Sequence, residues 1–247
     1  MKLDILAIVA HPDDAELCCG GTLLRQKAQG YKVGIVDLTE GELGSRGNVH
    51  TRREEAKNAS DILGIDAREN LQLPDGFFAN DIESQLKVIR VIRQYRPFII
   101  ITNAYKDRHP DHARAGELVK TAAFLSGLPK IHTYDLQGNA QHAWRPAQVF
   151  QMIQSEYVEP DFVVDISPYW EKKKQAMFAY KTQFYNPDAL ETETVQTFIS
   201  SPSFLAFVEA RARQFGQIVG VEFAEGFTKT KQLLVNNLFD ITTKSNL

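Results

Sequence analysis

The chain has 247 residues, a formal net charge of −3 and 43% hydrophobic residues. That length suits one large α/β domain, and the near-balanced charge excludes the basic footprint of a nucleic-acid binder. No apolar run approaches the roughly 18 residues of a membrane span. Met1-Lys2-Leu3-Asp4 passes straight into a strand pattern without the regions of a signal peptide. A cytoplasmic protein with no membrane or nucleic-acid partner is expected.

Residues 3–10 read as a strand, built on Ile5-Leu6-Ala7-Ile8-Val9 and ending in Ala10-His11-Pro12-Asp13-Asp14. Residues 14–29 read as a helix with Leu17, Gly21, Leu24 and Ala28 along one side, and Gly30 as its stop. Close helix–sheet packing is the expected reason for Gly20-Gly21. Cys18 and Cys19 are adjacent, form no disulfide framework and are read as buried packing residues. Lys32 to Leu38 is a second strand, and residues 39–50, with Gly41, Gly44 and Gly47, are a loop.

Thr51 is expected to cap a helix reaching Leu63, with Glu54 completing a capping box. Leu71 and Leu73 mark a short strand closed by the turn Pro74-Asp75-Gly76. A helix over 81–95 carries Ile82, Leu86, Ile89 and Ile92 at helical spacing. It leads to a strand at 98–102, the cluster Asp107-Arg108-His109-Pro110-Asp111-His112, and a helix over 111–125. The β-α-β-α order predicts a Rossmann-like, three-layer α/β sandwich with a mostly parallel sheet.

The second half is less regular. Strands are expected at 149–153 and 162–166, and a helix at 168–181 whose Lys172-Lys173-Lys174 reads as a solvated basic face. A polar stretch at 183–202, with Asn186-Pro187, suggests an excursion near the site or a subunit contact. A helix at 203–215 and a strand at 217–223 would complete a single domain over residues 1–247.

The two His/Asp clusters each follow an apolar strand, at the end where open α/β sheets bind ligands. His11, one of Asp13 and Asp14, and one of His109 and His112 would make a three-ligand catalytic metal site with a position left for water. Consecutive side chains leave a turn in different directions, so one aspartate can bind metal while the other faces the water as a base. If Pro110 starts a helix, His112 lies in its first turn and His109 projects separately. The spare histidine is then free to donate a proton or stabilise an oxyanion, oriented by Asp111 or Asp107.

Other functions fit less well. A nucleotide site is disfavoured because the first turn lacks G-x-G-x-x-G and carries carboxylates that repel phosphate. A two-metal esterase or phosphatase would need a second full ligand set. A non-catalytic metal or sugar-binding module has no use for the spare carboxylate. His50, His132 and His142 have no ligand-like neighbours and read as surface residues.

His11-Pro12-Asp13-Asp14-Ala15-Glu16 together with His109-Pro110-Asp111-His112 resembles the LmbE-like (PIG-L) family of zinc-dependent N-acetylglucosamine deacetylases. Thr39-Glu40-Gly41-Glu42-Leu43-Gly44 and Thr51-Arg52-Arg53-Glu54-Glu55-Ala56 extend the likeness, which runs from residue 3 to about 125. The Asp107–His112 run, Ala179-Tyr180-Lys181-Thr182-Gln183-Phe184 and Ala224-Glu225-Gly226-Phe227 resemble one branch, the bacillithiol-biosynthesis deacetylases. That branch removes acetate from N-acetylglucosaminyl malate.

The resemblance implies zinc, replaceable by another divalent metal, held by His11, Asp14 and His112, with Asp13 as general base. It implies His109 as general acid or oxyanion stabiliser with Asp111 as its partner. Arg52 would hold the substrate, its guanidinium suiting a malate carboxylate, and Arg108 would be a second substrate contact. Glu16, in the first helical turn, would complement the helix dipole. A small-molecule N-acetylglucosamine conjugate is the implied substrate, and a homo-oligomer, often a hexamer, the implied assembly.

Overall fold

The computed structural model describes residues 1–184 and 195–243. Strand β1 (Ile5–Val9) is wholly buried and lies between β2 (Val33–Asp37) and β4 (Ile99–Thr102), all parallel. Burial on both faces is why it reads as an unbroken apolar run. Leu6 and Ile8 point into a core shared with helices α3 (Ile82–Tyr95) and α4 (Pro110–Leu125). Ile5, Ala7 and Val9 point into the opposite core, under α1 (Asp14–Ala28) and α5 (Trp170–Phe178). This is the expected three-layer sandwich.

The sheet has seven strands in the order β3-β2-β1-β4-β5-β7-β6. Strand β3 is Ala67–Asn70, β5 Gln148–Met152, β6 Phe162–Asp165 and β7 Ala224–Lys229. Strand β7 runs antiparallel to β5 and β6, and the other described pairings are parallel. From β1 the chain winds to β2 and β3 on one side, and from β4 to β5 on the other. The switch between β1 and β4 opens a crevice at their carboxyl ends. Residues 10–13 and 103–109, which follow those two strands, meet there. Among the described residues no helix is long and apolar enough to cross a membrane.

Several boundaries differ from the sequence reading, each for a physical reason. Strand β3 is 67–70, not the segment around Leu71 and Leu73. As an edge strand it carries polar residues, while Leu71 and Leu73 seal the buried loop beyond it and still donate to the Asp37 and Leu38 carbonyls. Helix α2 (Val49–Leu63) is capped by Asn48, with Thr51 as the reciprocal member of the box, so the cap lies three residues before Thr51.

No strand forms at 217–223. Helix α6 (Pro202–Val219) continues through those apolar residues to a left-handed cap at Gly220, and the last strand is 224–229. The Lys172–Lys174 run is not a uniformly solvated face either. Lys173 is buried, 2.7 Å from buried Glu225. The Glu225 carboxylate also accepts the Gly21 and Thr22 backbone N–H groups at 3.0 and 2.7 Å. Gly21 is there for proximity, as expected: a Cβ would lie 2.7 Å from Ile166. Cys18 and Cys19 are both free and buried.

Candidate active site

The turn after β1 separates the two aspartates. Asp13 has φ 119°, a left-handed conformation that a non-glycine residue adopts at a cost of about 1–3 kcal/mol. That strained turn sends the Asp13 carboxylate toward Arg52, whose Nη1 lies 3.4 Å away and also donates to the Pro12 carbonyl at 3.0 Å. Asp14 points the other way. Its two oxygens accept from the Asn103 and Gln154 side-chain amides at 3.0 and 2.8 Å.

Asp14 lies between two imidazoles. His11 Nδ1 is 3.6 Å from one carboxylate oxygen and His112 Nε2 is 3.2 Å from the other. The far nitrogen of each ring rests on further carboxylates. His11 Nε2 lies 3.0 Å from Asp75 and 3.3 Å from Asp111, and His112 Nδ1 lies 2.6 Å from Asp107. With one proton kept on each far nitrogen, loss of the second would free His11 Nδ1 and His112 Nε2, the atoms that face Asp14, for a cation. Carboxylate-backed imidazoles of this kind are the usual support of metal-ligating histidines. The donor set therefore suits a divalent cation. Among the described residues, two groups place one ligand atom from each member within 4.8 Å of the others: the ring nitrogens of His11, His109 and His112, and a His11 nitrogen with carboxylate oxygens of Asp75 and Asp111.

His109 caps helix α4 immediately before Pro110, so the helix starts where the proline predicted. Its Nδ1 accepts the Asp111 backbone N–H at 3.2 Å. That assigns the His109 proton to Nε2. The Asp111 carboxylate does not partner His109. It bonds His11, the Gly76 N–H at 2.8 Å and Arg114 at 2.5 Å, because the first turn of α4 directs residue 111 inward, away from the cap.

The charges explain the protonation pattern. Burial disfavours the imidazolium forms, but the carboxylates outweigh it, lifting His112 to about 9 and His11 well above its ordinary value. Burial tends to raise Asp14, yet the two histidines hold it well below the usual carboxylate range. Burial pushes Asp13 up to about 7, with Arg52 opposing. His109 is lowered by burial and by the neighbouring imidazoles, which keeps it a neutral donor.

These side chains line a cavity of about 450 Å³ together with Arg52, Arg108, the loop residues Gly41 and Gly44, and Phe198. Arg52 is wedged under that loop, where a Cβ at Gly41 or Gly44 would come within 3.0 Å of its guanidinium. Arg108 stacks over Phe198 at 4.7 Å. From the 183–202 stretch, Gln183, Phe184 and Thr197 to Ile199 line the cavity, whereas Asn186-Pro187 lies outside the described residues.

Glu16 does more than face the helix dipole. Fully buried, it accepts from Arg68 at 2.6 Å and from Tyr180 at 3.1 Å. Tyr180 therefore lies beneath the site and not among the residues lining it. His50, His132 and His142 are exposed, as read.

Sequence reasoning missed Asp75, Asn103 and Gln154. Asp75 sits in a Pro-Asp-Gly turn, yet it closes a third apolar segment as His11 closes the first. Asn103 and Gln154 each stand just past a strand, the one signal that marks them.

Asp107→Asn is expected to lower metal affinity about 10- to 100-fold. The amide would keep accepting the Ser155 and Glu156 N–H groups, now 3.1 and 3.2 Å from Asp107. Its NH₂ would then face His112 Nδ1 and force the proton onto Nε2, the atom a metal needs. Competitive chelator titration measures the loss, and unchanged affinity would rule out this orienting role. Since His112 holds its proton up to about 9, wild-type affinity should also rise with pH over the neutral range.

The family model described as PIG-L, GlcNAc-PI de-N-acetylase, matches residues 6–123. Diacetylchitobiose deacetylase of Thermococcus kodakarensis is 31% identical over 192 residues, 73% of this chain and 70% of that protein. A probable N-acetyl-α-D-glucosaminyl L-malate deacetylase 2 of Bacillus anthracis is 26% identical, covering 73% of this chain and 81% of its own length. Among solved structures, the conserved protein TT1542 of Thermus thermophilus superposes with a TM-score of 0.82 at 36% identity, over 94% of this chain and 97% of that one.

Proposed function

The chain belongs to the PIG-L family and is a deacetylase of N-acetylglucosamine-type substrates; from that premise we propose that it is zinc-dependent and acts on N-acetylglucosaminyl malate, as in bacillithiol biosynthesis. The observation that carries the catalytic part is the Asp13 carboxylate, which shares a cavity with the His11–Asp14–His112 cluster yet takes no part in it. A cation held by those three residues would supply Lewis acidity, polarising the amide carbonyl and acidifying a water.

The protein's own groups do the rest. Asp13 takes the proton of the attacking water, its basicity raised by burial and restrained by Arg52. His109 donates a hydrogen bond from Nε2 to the oxygen that gains charge, and the proton Asp13 took from water passes to the departing amine as the C–N bond breaks, which restores Asp13 as the base. Asp111 acts one step away, holding His11. The malate assignment rests on two guanidiniums, Arg52 and Arg108, lining the same cavity, and on the Bacillus anthracis relative. The seven strands in one sheet support a single deacetylase domain over residues 1–247. A cytoplasmic location and a homo-oligomer complete the proposal.

The decisive assay is release of free amine from N-acetylglucosaminyl malate by zinc-loaded protein, beside N-acetylglucosamine, diacetylchitobiose and a chelator control. Chelator-sensitive turnover of the malate conjugate well above the others is expected. Equal action on all three would remove the malate assignment and keep the chemistry. No turnover of any would overturn both.

A further inference from the structure

A second, smaller cavity lies beside the first, between α1, the end of β5, β7 and α6. Leu17, Gln154 and Ser155 line both. Gln154 is the residue whose amide donates to Asp14, so one layer of side chains divides this space from the metal-ligand cluster. Its volume of about 40 Å³ has room for roughly three waters. That matches the bulk of one acetate and is too small for a sugar. Leu17, Phe204, Phe207 and Val208 give it an apolar wall.

Two cations also reach this space. Lys173 is neutralised by Glu225 at 2.7 Å. Arg211 is not: among the described residues no carboxylate lies in ion-pair range of it. It donates to the carbonyls of Ser155 and Glu156 at 2.8 and 3.4 Å and stacks over Phe207 at 4.5 Å. Those contacts hold the guanidinium in place and use only part of its five N–H donors among the described residues. A half-buried guanidinium without a counter-charge, at a space with an apolar wall, is complementary to a small carboxylate.

We propose that this crevice is a binding site for acetate, one layer of side chains away from the cavity in which that product forms. The inference rests on the deacetylase reading. Hydrolysis adds the water's oxygen to the acetyl carbon, the C–N bond breaks, the amine takes a proton, and acetate is the second product. Its methyl group would meet Leu17 and Val208, and its carboxylate Arg211.

The test uses ¹³C-acetate observed by NMR line broadening with metal-free full-length protein, so that binding at the metal position does not contribute. Wild type is expected to bind acetate. Arg211→Met, which keeps the stem stacked on Phe207, should weaken binding about tenfold or more, and Arg211→Lys should recover part of it. Val208→Phe should exclude acetate by filling the space. In the zinc-loaded enzyme, inhibition by added acetate at matched ionic strength should weaken in Arg211→Met by the same factor. Absence of acetate binding to metal-free wild type, or equal binding by Arg211→Met, would overturn the site. Crevice binding in a protein that releases acetate from no N-acetyl sugar would instead overturn the functional reading, and with it the assignment of the site to a reaction product.

Discussion

Asp13→Asn is expected to lower kcat about a thousandfold, within the 10²–10⁴ contribution typical of a general base, with little change in metal content. The amide keeps the size of the side chain and can still accept from Arg52, but it cannot take a proton from water. The metal-ligand cluster should survive, because Asp13 contacts Arg52 and none of His11, Asp14 or His112 within ion-pair range. Metal analysis after gel filtration, alongside steady-state kinetics, separates the two effects. The wild-type rate should fall on the acid side as Asp13 is protonated. Burial raises its pKa to about 7 in the metal-free site, while a bound cation and Arg52 act to lower it. A variant that retains full turnover would remove Asp13 from the chemistry, and one that loses metal as well would make it a ligand.

The second large effect concerns stability. Lys173 and Glu225 are each 3% exposed at the side chain and 2.7 Å apart. Lys173→Met should cost about 3–5 kcal/mol, because it leaves the Glu225 charge buried without its counter-ion. At roughly 2–4 °C per kcal/mol for a chain of this size, Tm should fall by about 6–20 °C. The carboxylate would keep only the Gly21 and Thr22 N–H groups. Lys173→Met combined with Glu225→Gln should recover much of the loss, since the amide oxygen still accepts a backbone N–H and no charge remains. Urea unfolding of wild type, both single variants and the double variant closes the cycle. A single-variant cost below about 1 kcal/mol would mean that water reaches the pair.

Sequence periodicity located the first half of the molecule well because its strands are buried on both faces and its helices are amphipathic. It failed where an element's character comes from its neighbours. Strand β3 is polar at its edge position, and the apolar end of α6 resembles a strand when read alone. Lys173 is charged in a charged run, and only the arrival of β7 against α1 and α5 places Glu225 beside it. The Asp111 assignment failed similarly, since adjacency to His109 in the chain says nothing about which ring a carboxylate inside a helix turn will meet.

By itself, the order of residues determined that two His/Asp clusters end two apolar strands, that Pro110 starts a helix, and that two consecutive aspartates must diverge. These are local properties of backbone geometry, carried by a few neighbouring side chains. Only the tertiary structure decided which nitrogen of His11 and of His112 faces Asp14, that Asp75, Asn103 and Gln154 complete the surroundings of Asp14 and His11, and that Arg211, with no carboxylate in ion-pair range among the described residues, sits one layer behind them. Those facts depend on the crossing of the chain between β1 and β4, which brings together carboxylates and imidazoles about a hundred residues apart, at distances where burial and charge set their protonation.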